Sequence, residues 1–409
     1  MQFPLGEIKM WENEFSQVAR ELRASEIREL LKVTQMPDII SFAGGLPNPS
    51  SFPVGIIRDI TVKLLERYGD KMLQYGSTEG VNSFRDTLVE YYMKNKGFKN
   101  IERDNILITS GSQEGLYLLG KTLIDPGDII VVEAPTYVGA LTAFRTFKPH
   151  YVQIEMDNEG MSIDLLERKL KELKRDGKKP KFIYTIPTFQ NPAGVTMSLE
   201  RRKRLIELAK EYDVLVVEDS PYEELRFSGE PVPQLKALDN EGYVLYLGTL
   251  SKVLSPGMRI AFMIGDKELI HKAVLAKQGV DLCTSPFVQY IAEEYIKGGY
   301  MNSHIPKIIK LYKEKRDIML NSLEDYFPDG VEWTRPDGGM FLWVTLPKHL
   351  DAEKLLPKAI ENKVVYVIGA AFYPNRDHKN TMRLNFTYPT NEEIEEGIKR
   401  LAKVIKEAL

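Results

Sequence analysis

Residues 198–222 read SLERRKRLIELAKEYDVLVVEDSPY. In residues 198–212 the apolar side chains fall at 199, 205, 206, 208, 209 and 212, the last five at helical spacing, with charge between them. Ser198 followed by Leu199 and Glu200 is a sound helix start, a capping hydroxyl with an acid in the first turn. The run VLVVE that follows is continuous and β-branched rather than alternating, so it predicts a strand buried on both faces. Asp219 stands at the carboxyl edge of that strand, where open α/β sheets bind ligands. A helix leading into a doubly buried strand predicts an α/β fold with a mostly parallel central sheet flanked by helices.

The same alternation extends in both directions. Short apolar runs occur at residues 105–109 (NILIT), 129–133 (IIVVE), 151–154 (YVQI), 182–185 (FIYT), 243–247 (YVLYL) and 260–265 (IAFMIG). The flanks read differently. An amphipathic helix is expected over residues 19–35, ended by Pro37, and a long helix over residues 306–326. A smaller α+β unit is expected beyond it, with strands at 338–346, 364–368 and 383–386 and a helix near 352–362. The predicted division is an arm over 1–48 that joins the small unit, a large domain over 49–305 and a C-terminal small domain over 306–409. No repeat of 20–50 residues interrupts this order.

Composition narrows the function. The 55 Lys+Arg nearly balance the 58 Asp+Glu among 409 residues, giving a formal charge of -3. Such a surface lacks the positive field that nucleic acids or a polybasic membrane anchor require. A single cysteine, Cys283, excludes an intramolecular disulfide and a thiolate metal cluster, and the 5 histidines are scattered. No metal is expected. With no bilayer-length apolar run and no signal-peptide pattern at the start, the chain is expected in the cytoplasm.

Four places carry candidate chemistry. Lys252, in Thr249-Leu250-Ser251-Lys252, follows a buried strand, where an amine is costly to desolvate unless it has a role. Desolvation lowers its pKa and makes a nucleophile suited to Schiff-base chemistry; the alternative is a lysine snorkelling at a strand end. Arg259 with the Thr249 and Ser251 hydroxyls would complete a phosphate-plus-aldehyde site. Residues 109–115 (TSGSQEG) form a small-residue turn between strand and helix, either an anion site or an empty tight turn. Asp219 could hold a protonated pyridine nitrogen, or cap a helix, or pair with a cation; Tyr222 beside it and Asn191 in an Asn-Pro turn offer further polar groups. Arg383, on the apolar strand RLNF, needs a carboxylate, from a substrate or from a buried salt bridge.

In order, GSQEG, APTY, NPAG, VEDSPY, Ser-Lys with its downstream Arg, and RLNF resemble the class I/II pyridoxal-phosphate aminotransferases of fold type I over essentially the whole chain. Residues 25–53 (SEIRELLKVTQMPDIISFAGGLPNPSSFP) are similar to the branch holding 2-aminoadipate, kynurenine and broad-substrate aromatic aminotransferases. The resemblance implies pyridoxal 5'-phosphate bound to Lys252, which also shuttles the proton. It implies that Asp219 pairs with the pyridinium nitrogen, that Asn191 and Tyr222 bond the phenolic oxygen, and that Tyr137 stacks on the ring. Ser112, Gln113, Thr249, Ser251 and Arg259 would hold the phosphate. Tyr75 would reach it from a neighbouring subunit, making a homodimer with shared active sites. Arg383 and Asn191 would grip the substrate carboxylate, Gly45 would line the pocket, and Arg28 would meet acidic side chains. The implied reaction is ping-pong transfer of an amino group from an L-amino acid to a 2-oxo acid such as 2-oxoglutarate.

Three other readings use part of the same residues. A β-eliminating or aminocyclopropane-carboxylate-synthase-type lyase would share nearly all of them. A transcription regulator with an aminotransferase-like domain would need a DNA-binding module, and a nicotinamide-dependent dehydrogenase would need a glycine fingerprint that is missing.

Overall fold

The structure is a computed structural model and describes residues 11, 13–22, 30, 33 and 36–409. Most of the expected helix over residues 19–35 lies outside the described residues, as does Arg28; a short helix, Gln17–Glu21, overlaps its start.

Strand β1 (Ile40–Ser41) comes first, and a large sheet follows. Its strands are β2 (Ile106–Thr109), β3 (Ile129–Ala134), β4 (His150–Asp157), β5 (Gly160–Met161), β6 (Phe182–Thr185), β7 (Leu215–Ser220), β8 (Val244–Thr249) and β9 (Ala261–Ile264), in the order β2-β9-β8-β7-β6-β3-β4-β5. The continuous apolar runs are explained by what covers the two faces. Phe182 and Val217 pack with helices Ser112–Leu123, Val138–Arg145 and Lys267–Gln278, while their neighbours Ile183 and Val216 pack with Ile163–Arg175 and Leu199–Glu211. Alternate residues point to opposite faces, and both faces are dry. Ser198 caps Leu199–Glu211 by accepting from the Arg201 amide, as its position in the sequence predicts.

Two strands depart from a parallel arrangement, the two-residue edge strand β5, antiparallel to β4, and the interior strand β9. β9 runs antiparallel to both β2 and β8, with Thr249 opposite Ala261. Residues 250–260 are too few for the crossover helix that a parallel return needs, so the chain doubles back. That reversal carries both Lys252 and Arg259.

The remaining strands are β10 (Glu332–Trp333), β11 (Phe341–Thr345), β12 (Val364–Val365), β13 (Val367–Ile368) and β14 (Thr381–Asn385). Four of them form a separate antiparallel sheet in the order β10-β11-β14-β13, and β12 pairs in parallel with β1. The two chain ends are thereby joined in one smaller unit. The long helix spans Tyr300–Tyr326 and starts earlier than expected, with Pro306 inside it. Buried contacts offset the lost backbone bond: His304 Nε2 meets the Ser51 carbonyl at 2.7 Å and its Nδ1 meets the Tyr295 hydroxyl at 2.7 Å. Among the described residues no helix is long and apolar enough to cross a membrane.

Candidate active site

The site forms where the carboxyl ends of β2, β7 and β8 face the β11–β14 sheet. Gly111 leaves β2 with φ +86°, ψ 160°, a conformation open to glycine, and caps the helix that begins at Ser112. A β-carbon at Gly111 would collide with the Arg259 guanidinium, which lies against this turn. Ser112 Oγ is buried and has no hydrogen-bond partner among the described residues. Thr249 Oγ1 donates to Ser251 Oγ at 3.0 Å and accepts from the Ser251 amide at 3.1 Å. A guanidinium, three hydroxyls and a helix N-terminus therefore converge on one small space, the donor set of an anion site.

Gln113 contributes differently from its side-chain chemistry. Its amide donates to the Gly139 carbonyl at 2.8 Å, leaving its first-turn backbone N–H for an anion. The turn is pinned from behind by a cluster that sequence reading missed. Lys277, fully buried, donates to Glu114 and Asp281, and Ser110 Oγ donates to Asp281 at 2.8 Å.

Next to this space stand an acid and an amine. Asp219 is buried at the end of β7; its Oδ2 accepts from the Tyr184 hydroxyl at 2.7 Å and its Oδ1 has no partner. Burial pushes its pKa up to about 6, against the pull of the Tyr184 hydrogen bond. Lys252 Nζ lies 3.5 Å from the Gly45 carbonyl, and no carboxylate pairs with it among the described residues. Burial first, then the positive charges of Arg259 and Arg383, lower its pKa to about 8. An amine so tuned is a nucleophile and a base near neutral pH.

The opposite wall is built on β14. Arg383 is 1% exposed, and its guanidinium lies 4.1 Å over the Phe341 ring. Its Nη1 donates to Asn191 Oδ1 at 3.0 Å and its Nη2 to the Ala43 carbonyl at 3.1 Å. No carboxylate pairs with it among the described residues, so the rival reading of a structural salt bridge is not what the side chain makes. Burial lowers its pKa to about 10. Asn191 Nδ2 donates in turn to the Tyr222 hydroxyl at 3.2 Å. Beneath the Asn191 turn, buried Glu133 accepts from Gln190 Nε2 at 2.9 Å, and Gln190 Oε1 accepts from the Ala193 amide at 2.8 Å.

Tyr137, half-buried, ends the turn after β3 and folds back over Gly139, where a β-carbon would strike its ring. Burial raises its pKa, and the Asp219 charge adds to the rise. Tyr137 lies within electrostatic reach of Asp219, Arg259 and Arg383, Tyr222 within reach of Tyr137, Asp219 and Arg383, and Lys252 within reach of both arginines. Gly45 borders the same space, its own β-carbon position facing Phe341. Tyr75 stands apart from this group, 79% exposed, and its side chain makes no hydrogen bond among the described residues. Sequence reading also missed Tyr184; the available signal was a phenol in a dry strand, which needs a partner.

Comparisons with known proteins give the family. The profile of the aminotransferase class I and II family matches residues 50–401. The chain is 56% identical to aromatic-amino-acid aminotransferase 1 of Thermococcus litoralis, covering 98% of this chain and 95% of that one. It is 41% identical to the 2-aminoadipate transaminase of Thermus thermophilus, covering 97% of each. The solved structure of Pyrococcus horikoshii kynurenine aminotransferase, a complex with PMP, kynurenine and its product, superposes with a TM-score of 0.95 at 57% identity over 100% of both chains. The chain belongs to the class I and II aminotransferases and is a pyridoxal-phosphate-dependent amino-acid aminotransferase of fold type I.

Proposed function

We propose that the enzyme takes the amino group from L-amino acids with aromatic or long side chains, such as phenylalanine, kynurenine and 2-aminoadipate, and passes it to 2-oxoglutarate. The observation that carries the assignment of roles is the buried, unpartnered Oδ1 of Asp219. A carboxylate oxygen left bare in a dry site suits the N–H of a pyridinium ring. Ser112 Oγ, also buried and unpartnered, and the Gly111 turn under Arg259 suit a phosphate in the same way.

When bound, pyridoxal phosphate supplies an aldehyde that takes up an amino group and a ring that accepts electron density. Ser112, Thr249, Ser251, Arg259 and the Gln113 amide would hold the phosphate, and Tyr137 would cover the ring. Asp219 would keep the ring nitrogen protonated, while Tyr222 and Asn191 would bond the phenolic oxygen. Lys252 would hold the aldehyde, and its Nζ, with a pKa lowered to about 8, would take the substrate α-proton and return it. Arg383 and Asn191 would fix the substrate carboxylate, and Gly45 leaves room for the substrate. Arg28 would meet the distal carboxylate of 2-aminoadipate and turn away for an aromatic side chain.

The same reading makes the enzyme a cytoplasmic homodimer in which Tyr75 of one protomer reaches the phosphate site of the other. Its support is the exposure of Tyr75 together with that of Leu73 at 74% and Val54 at 71%, apolar surface that a second copy would cover. The test of the donor assignment is the visible spectrum of the loaded enzyme. Phenylalanine, kynurenine and 2-aminoadipate should bleach the yellow band and 2-oxoglutarate should restore it. Bleaching by small amino acids alone would refute these donors, and release of ammonia without any acceptor would mark a lyase.

A further inference from the structure

We propose that Tyr184 is a positioning residue which, through Asp219, holds that carboxylate ionised and turned so that one oxygen alone meets the cofactor's ring nitrogen. The inference rests on the assignment of Asp219 as the partner of that nitrogen.

β6 and β7 are parallel neighbours, with Tyr184 opposite Val217. Asp219 lies two residues beyond Val217 and so shares its face, which brings the carboxylate beside the phenol. The hydroxyl is 2.7 Å from Oδ2. Tyr184 is fully buried, and its ring stands edge-on to Phe144 with centroids 5.8 Å apart, so the hydroxyl has little freedom to turn elsewhere. The carboxylate is therefore asymmetric, one oxygen satisfied and the other bare.

A buried carboxylate with a single donor is close to taking up a proton. Glu133 on β3, Tyr137 after β3 and Tyr222 after β7 are the other titratable groups that act on this pair. None is a cation. Tyr184 is thus the group that stabilises negative charge on Asp219 among the described residues. Without its hydroxyl the carboxyl would keep its proton and offer a hydrogen bond to a neutral ring nitrogen. A neutral ring withdraws electrons more weakly than a pyridinium. Tyr184 would therefore govern the charge of the ring while touching neither cofactor nor substrate.

The test loads the full-length enzyme with pyridoxal phosphate carrying nitrogen-15 in the ring and follows that nucleus by NMR as pH is raised. Wild type should show a protonated nitrogen through neutral and mildly alkaline pH, and Asp219→Asn a neutral one. Tyr184→Phe, which removes one oxygen and keeps the ring, should move the neutral-pH nitrogen signal from the wild-type position toward that of Asp219→Asn, because the proton shared by the pair then rests on the carboxyl. Tyr184→Met repeats the comparison should the phenylalanine variant not fold. A neutral-pH signal identical to wild type in the Tyr184 variant would overturn the inference and leave the Asp219 assignment standing. A wild-type nitrogen already neutral would overturn both.

Discussion

Arg383 and Asn191 stand 192 residues apart in the chain and meet across 3.0 Å, guanidinium Nη1 to side-chain carbonyl. Through the other end of its amide, Asn191 reaches Tyr222, so one side chain links the carboxylate grip to the cofactor's side of the pocket. Asn191→Ala removes a hydrogen bond to a charged group, which contributes about 1.5–3 kcal/mol. Steady-state kinetics should show kcat/KM lower by about tenfold to a hundredfold. The loss should be similar for phenylalanine and 2-aminoadipate, because the α-carboxylate is common to both.

Asp219 holds its proton up to about pH 6, whereas an unfolded aspartate releases it near 3.8. The folded protein therefore binds the extra proton between those values, and stability from this group is lost as pH rises through about 6. In the cofactor-free enzyme, Asp219→Asn should raise unfolding stability at pH 8 by about 3 kcal/mol. At about pH 4 and below, the two proteins should unfold alike. Guanidinium unfolding at the two pH values checks this.

Gly111→Ala should weaken cofactor binding without removing any group that bonds the phosphate. The φ of +86° strains any other residue there by about 1–3 kcal/mol, and the added methyl displaces Arg259. Titration of the cofactor-free protein with pyridoxal phosphate should give a dissociation constant higher by about tenfold or more.

Shared active sites predict complementation. Lys252→Ala and Tyr75→Ala proteins, each of low activity alone, should regain activity when unfolded together and refolded as a mixture. Hybrids would then hold one site with both native residues. Activity no greater than the sum of the separate proteins would place Tyr75 and Lys252 in the same protomer's site, or Tyr75 in none.

The central sheet was legible because doubly buried strands leave an uninterrupted apolar signature, as VLVVE does. Direction was not. IAFMIG looks the same whether parallel or antiparallel, and the short link through Lys252 is what forces the reversal at β9. Charged residues after buried strands, Asp219 and Lys252, stood out because burying them is costly. Tyr184 and Gln113 were harder to read. A phenol inside FIYT passes for core, and the side chain of Gln113 turned to the Gly139 carbonyl rather than toward the anion. The pairing of β1 with β12 rests on two residues from each strand, too little pattern to register in the sequence.

That last pairing has a consequence for biosynthesis. The strip after β1 supplies the Ala43 carbonyl to Arg383, the Gly44 carbonyl to Asn385 and the Gly45 carbonyl to Lys252. Material made early is thus stitched to a strand made late. A nascent chain that has not yet produced residues 381–385 can fold the large sheet and its phosphate turn, yet it has no means of gripping a carboxylate. Substrate recognition arrives with the closing stretch of translation, so an unfinished chain could capture cofactor but could not use it on amino acids.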